Sequence, residues 1–123
     1  MRTATSTTFT QIFQGEADQV GRARREVARY LDGCPAAEDA TLIVSELVTN
    51  AVLHSRSRHG MLTVHGERYP RYVRLEVSDA GGKWEAGSDG DGGRGLAIVA
   101  ALAAEWGIDG DARGRTIWAR IEW

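Results

Sequence analysis

The chain has one cysteine, two prolines, a single lysine (Lys83) and a net charge of only −2 across 123 residues. Each scarcity excludes something. Cys34 has no partner for an internal disulfide, which suits a reducing compartment. A net charge near zero gives no field to draw in nucleic acid or an anionic membrane, so neither is expected as a partner. No apolar run approaches the roughly 18 residues that a membrane span needs. The opening stretch MRTATSTTFTQIFQ lacks an apolar signal-peptide core, so a cytoplasmic protein is expected. His54, His59 and His65 do not have zinc-site spacing, and no cysteine joins them. No GxxxxGK[ST] sequence occurs, which rules out a P-loop. The excess of arginine over lysine reads as codon usage, not function.

What is present fits one domain, residues 1–123, with a hydrophobic content of 42% and a charged content of 26%. Thr7 to Phe13 alternates and is rich in threonine and aromatics, so it predicts a strand. Glu16 to Leu31 places Val20, Val27 and Leu31 at helical spacing, with Arg22, Arg24, Arg25 and Arg29 as a solvated face. Gly33 and Pro35 end that helix and allow a second, from about Ala36 to His54. Met61 to Glu67 and Tyr72 to Ser78 alternate around Tyr69-Pro70 and predict a hairpin. Asp79 to Gly93 reads as a glycine-rich loop, and Gly95 to Ala104 as a buried helix. Trp106 to Asp109 and Thr116 to Trp123 form a last hairpin. The order β-α-α-β-β-α-β-β predicts an α+β two-layer sandwich: a mixed, mostly antiparallel sheet covered on one face by three helices. Trp106, Trp118 and Trp123 are expected to pack in the core or at the sheet edge.

Two anomalies stand out. The first is SELVTNAVLHS, residues 45 to 55, a mostly apolar helix that carries Glu46 and Asn50 one turn apart. At about 100° per residue, Ser45, Glu46, Thr49 and Asn50 share one arc, opposite Val44, Leu47, Val48 and Ala51. A solvated stripe would carry lysine or arginine, and this one has neither. Leu42 and Leu53 border it, so it is expected to line a partly enclosed pocket. Carboxylate and amide oxygens suit a hard cation, and a glutamate can act as a general base.

The second anomaly is glycine, of which seven of fifteen fall between Asp79 and Gly95. Asp79 closes a strand and is followed by small residues, so it can accept a hydrogen bond from an amine while Gly81 lets a flat ring approach. GDGGRGLAIV, residues 90 to 99, runs glycines into a helix, which makes a phosphate site from backbone N–H groups.

Glu46-x-x-x-Asn50, then Asp79-x-Gly81, then GGRGLAIV resemble, in this order, the three ATP-binding boxes of the GHKL superfamily. Within it the chain looks like the small bacterial anti-sigma-factor serine/threonine kinases, over roughly residues 7–122. The resemblance implies a Bergerat-type fold that binds ATP and Mg²⁺. It implies Asn50 as the Mg²⁺ ligand and Glu46 as the base that orients a serine hydroxyl or water. It places Asp79 on the adenine amino group with Gly81 beside the ring, and Gly92, Gly93, Arg94, Gly95 and Leu96 around the phosphates. Trp84 to Gly92 would form a lid, and Thr116 would support adenine recognition. The second box departs from the family's D-x-G-x-G: Gly82 comes early and Lys83 takes the fifth position, free to contact phosphate. The implied partners are a sigma factor, sequestered by this chain, and a small antagonist protein that it phosphorylates, with homodimerisation as in the family. Two other readings stay open from the residues: a catalytically silent nucleotide-binding module that acts by docking, and the detached catalytic domain of a sensor histidine kinase.

Overall fold

The computed structural model describes residues 7–54, 60–80, 90–111 and 113–123. Eight elements follow one another: β1 (Thr7–Gln14), α1 (Gln19–Tyr30), α2 (Ala37–His54), β2 (Met61–Arg68), β3 (Tyr72–Asp79), α3 (Gly90–Leu102), β4 (Glu105–Asp111) and β5 (Gly114–Glu122). The five strands form one sheet in the order β1-β2-β3-β5-β4.

All four pairings are antiparallel, so the sheet is not mixed. The expectation of a mixed sheet had a physical basis, because a strand–helix–strand crossover lays its two strands parallel. Here β3, α3 and β4 are such a unit, and β3 and β4 do run the same way. However, β5 turns back from β4 and enters between them, converting one parallel pairing into two antiparallel ones.

Alternation decides which face meets the helices. Leu62 and Val64 of β2, Val73, Leu75 and Val77 of β3, and Ile117, Ala119 and Ile121 of β5 are all buried. Against them α2 contributes Ile43, Val44, Leu47, Val48 and Ala51, and α1 contributes Ala23 and Val27. Leu31, just past α1, joins the same core. Gly33 then adopts φ +81°, a left-handed conformation, and lets the chain turn into α2. Gly66 has a packing role: a Cβ there would lie 3.0 Å from the Tyr30 ring. Its absence lets Tyr30 rest on β2, stacked on Phe9 at 5.2 Å, with its hydroxyl donating to the Thr7 carbonyl at 2.6 Å.

Two expectations about α3 need correcting. The helix begins at Gly90, inside the segment read as loop, and ends at Leu102. Glycine's poor helix propensity pointed the other way. The helix is also not buried: Val99 is, but Ala97, Ala100 and Ala101 are exposed. Its alanines are helix formers, not core residues. α1 likewise starts later than expected, at Gln19 and not Glu16. Arg22, Arg24, Arg25 and Arg29 are exposed, as a solvated face requires.

Among the described residues, no helix lies on the outer face of the sheet. There Arg74 lies over the Trp118 ring at 4.8 Å and pairs with Glu76. Arg120 pairs with Glu105 at 3.1 Å and with Glu122. Trp106 and Trp123 are partly buried against the core, consistent with packing roles.

Candidate functional site

On α2 the polar stripe divides into three kinds of side chain. Thr49 is turned inward on its own helix, its hydroxyl donating to the Ser45 carbonyl at 2.7 Å. Ser45 and Glu46 are half-buried. Asn50 is 6% exposed, and its Nδ2 has no hydrogen-bond partner among the described residues. A buried amide group without a partner costs on the order of 1–3 kcal/mol. Every other buried residue of α2 is apolar, so Asn50 is an exception in its own helix. Leu42 and Leu53 are both exposed. Leu42 belongs to a groove of about 340 Å³ between α1 and α2, which it lines with Arg24, Ala28, Ala37, Glu38 and Thr41.

Asp79 ends β3 in the same phase as Val73, Leu75 and Val77, which turns it toward the helices. Its side chain is only 2% exposed. An Arg115 Nη2 stands 3.6 Å from its Oδ2, and the Arg115 side chain is 8% exposed. The two residues are direct cross-strand neighbours. None of the sequence motifs includes Arg115. The signal was available, since Arg115 is in phase with the buried Ile117, Ala119 and Ile121 of β5.

Thr116, one residue further on, faces the other way. Its hydroxyl is hydrogen-bonded to Ser78 at 2.8 Å, and both belong to the outer row of the sheet. The strand pairing therefore does not bring Thr116 together with the Asp79 carboxylate. The residue set beside that carboxylate is Arg115.

Gly92, Gly93, Arg94 and Gly95 have their backbones within the first turns of α3, and Leu96 is partly buried against the core. Gly81, Gly82 and Lys83, with most of the Trp84 to Gly92 segment, lie outside the described residues.

The donor set can be tested against Mg²⁺ and nucleotide. Among the described residues no group of three or more His, Cys, Asp and Glu could cage a metal. Mg²⁺ does not need one, because it commonly takes one or two protein oxygens and completes its shell with water and substrate phosphates. The carbonyl oxygen of the buried Asn50 and the Glu46 carboxylate, one turn apart on α2, are oxygens of that sparse kind, while the unpartnered Asn50 Nδ2 is a donor and is no metal ligand. The residues present therefore fit the ion.

Comparison with known proteins agrees with this fold. No protein of curated function matches the chain. Among solved structures, the chain is similar to the crystal structure of the RsbU and RsbW domains of Rv1364c from Mycobacterium tuberculosis, with a TM-score of 0.76 and 21% identity. The match covers 94% of this chain and 32% of that one, so the likeness concerns the fold of one part of a longer protein. No helix among the described residues is long and apolar enough to cross a membrane. The profile of the histidine kinase-like ATPase domain matches residues 13–121, almost the whole length. With its five-stranded sheet under three helices, the chain belongs to the histidine kinase-like ATPase domain family, the GHKL superfamily that its motifs resemble.

Proposed function

We propose that the chain is an ATP-binding regulatory serine/threonine kinase of the anti-sigma-factor type, a single domain that phosphorylates a small antagonist protein and sequesters a sigma factor. The observation that carries this reading is Asn50: a buried amide lacking a partner, on an otherwise apolar stretch of α2, one turn from Glu46. Family membership and the fold shared with a structure containing an RsbW domain support it.

The site's chemistry suits phosphoryl transfer, which depends on positioning and charge neutralisation more than on reactive side chains. Asn50 and the phosphates would hold Mg²⁺, which when bound neutralises charge on the transferring group. Asp79 accepts a hydrogen bond from the adenine amino group and so sets the nucleotide's direction. Gly92, Gly93, Arg94, Gly95 and Leu96 would lie along the phosphates, which the unpaired backbone N–H groups of the first turn of α3 would bind. Lys83, by its place in the motif, would add a positive charge for the phosphates. Glu46 accepts the proton of the attacking serine hydroxyl. Apart from Glu46, these groups act by holding and orienting.

The test is a calorimetric titration of ATP with Mg²⁺ into the wild type, Asp79→Asn and Asn50→Ala, followed by phosphotransfer to candidate antagonist proteins. The wild type should bind, and both variants should lose most of the affinity. Glu46→Ala should keep ATP and lose phosphotransfer. Wild-type binding without transfer to any antagonist would sink the kinase and leave a nucleotide-dependent docking module.

A further inference from the structure

The helix-facing row of β5 reads Arg115, Ile117, Ala119, Ile121: one cation heading three apolar residues. Arg115 is as buried as a core side chain and sits opposite an equally buried Asp79. Such a pair contributes little to stability compared with apolar residues of the same size, because two charges must be stripped of water. Stability alone is therefore a poor reason for its presence. Its form is also informative. The 3.6 Å between Nη2 and Oδ2 is the separation of an ion pair and sets the guanidinium next to the carboxylate at the end of the inner rows.

We propose that Arg115 is the second half of a base-reading pair: Asp79 accepts from the amino group of adenine while Arg115 donates to the ring nitrogen N1 beside it. This rests on the nucleotide site proposed above. An ionised carboxylate only accepts and a guanidinium only donates. The edge of adenine presents a donor, the N6 amino group, next to an acceptor, N1. The two side chains thus form the complement of that edge. The strand pairing fixes their order, since Asp79 and Arg115 face each other across β3 and β5. It also gives Arg115 the place beside the carboxylate that Thr116, turned to the outer face, does not occupy. Arg115 would therefore determine which bases are accepted, and would do so by direct contact.

The experiment compares ATP with 1-deaza-ATP, in which N1 is replaced by CH while the amino group remains. On the wild type the analogue should bind about tenfold more weakly, the loss of one hydrogen bond to a charged donor. Arg115→Met should bind both nucleotides equally. Arg115→Lys should keep part of the preference. A role limited to supporting the fold would weaken both nucleotides in the same proportion and leave their ratio at the wild-type value, which would overturn the proposal. Equal binding of both by the wild type would overturn it too, while leaving the nucleotide site intact. If the wild type binds neither, the site itself is wrong and the proposal goes with it. A measurement without substitution guards against a misfolded variant: the Arg115 guanidinium nitrogen resonance of the wild type should move on adding ATP and much less on adding the analogue. An identical movement with both would count against the contact.

Discussion

The two faces of the β3–β5 pair use the same residue types under opposite conditions. On the helix face, Asp79 and Arg115 meet in the core at the end of two apolar rows. On the outer face, Arg74 meets Glu76 and Arg120 meets Glu105 and Glu122, with most of these side chains in contact with water. Exposed pairs are screened and interchangeable, and contribute about 0–1 kcal/mol. A buried pair gives up its hydration, and each member depends on the other. The difference separates two uses of charge. In the proposed reading the carboxylate and guanidinium held away from water serve a ligand, whereas those outside keep the surface wet.

The largest effect that sharpens this contrast is expected from Arg115→Met, which leaves Asp79 without its buried cation. The loss should be about 3 kcal/mol in urea unfolding. A loss no larger than that of an exposed pair would erase the distinction between the faces. Next comes Gly107→Ala on β4. A Cβ there would meet the Trp118 ring at 2.9 Å, and that ring is pinned beneath Arg74. The cost should be about 1–3 kcal/mol, read from the same unfolding curve. Thr116→Val removes the outer hydrogen bond to Ser78 and should cost about 1 kcal/mol. ATP affinity by calorimetry should not change, and a large drop would return Thr116 to the base site.

The outer face also has an acid-sensitive element. Tyr69 donates to Glu67 at 2.8 Å, and His65, which also bonds Thr10, lies 3.3 Å from it. These bonds, that from Tyr69 first, hold the Glu67 carboxyl below its ordinary range. Stability from this group is therefore present above the ordinary carboxylate range and is lost as pH falls through the lowered value. Glu67→Gln should flatten the acid limb of stability measured from about pH 6 to pH 3, and wild type and variant should converge at the acid end. Arg120→Ala should be smallest of all, with a melting temperature indistinguishable from the wild type.

Much of this was legible in the sequence. Alternation located β2 and β3 nearly to the residue, and the phase of Asp79 with Val73, Leu75 and Val77 already turned it inward. The apolar ground of α2 made Asn50 conspicuous. Three things were not legible. The insertion of β5 between β3 and β4 depends on pairing across the sheet, which no local pattern encodes. The start of α3 at Gly90 runs against glycine's helix propensity, so a reading by local propensity puts it too late. Arg115 was passed over because the resemblance drew attention to the hydroxyl of Thr116, although period-two counting from Ile117 puts Arg115 on the inner face.

The place of β5 has a consequence for synthesis. The ribosome delivers β1 to β4 before it delivers the strand that sits between β3 and β4. Until then β3 presents an open edge, and an open edge invites pairing with another chain. The carboxylate of Asp79 has no Arg115 beside it during the same interval. A nascent chain stalled before Gly114 would thus be adhesive and would lack the proposed base-reading pair. In the proposed reading, sheet closure and completion of the base site are one event, the entry of β5 between β3 and β4.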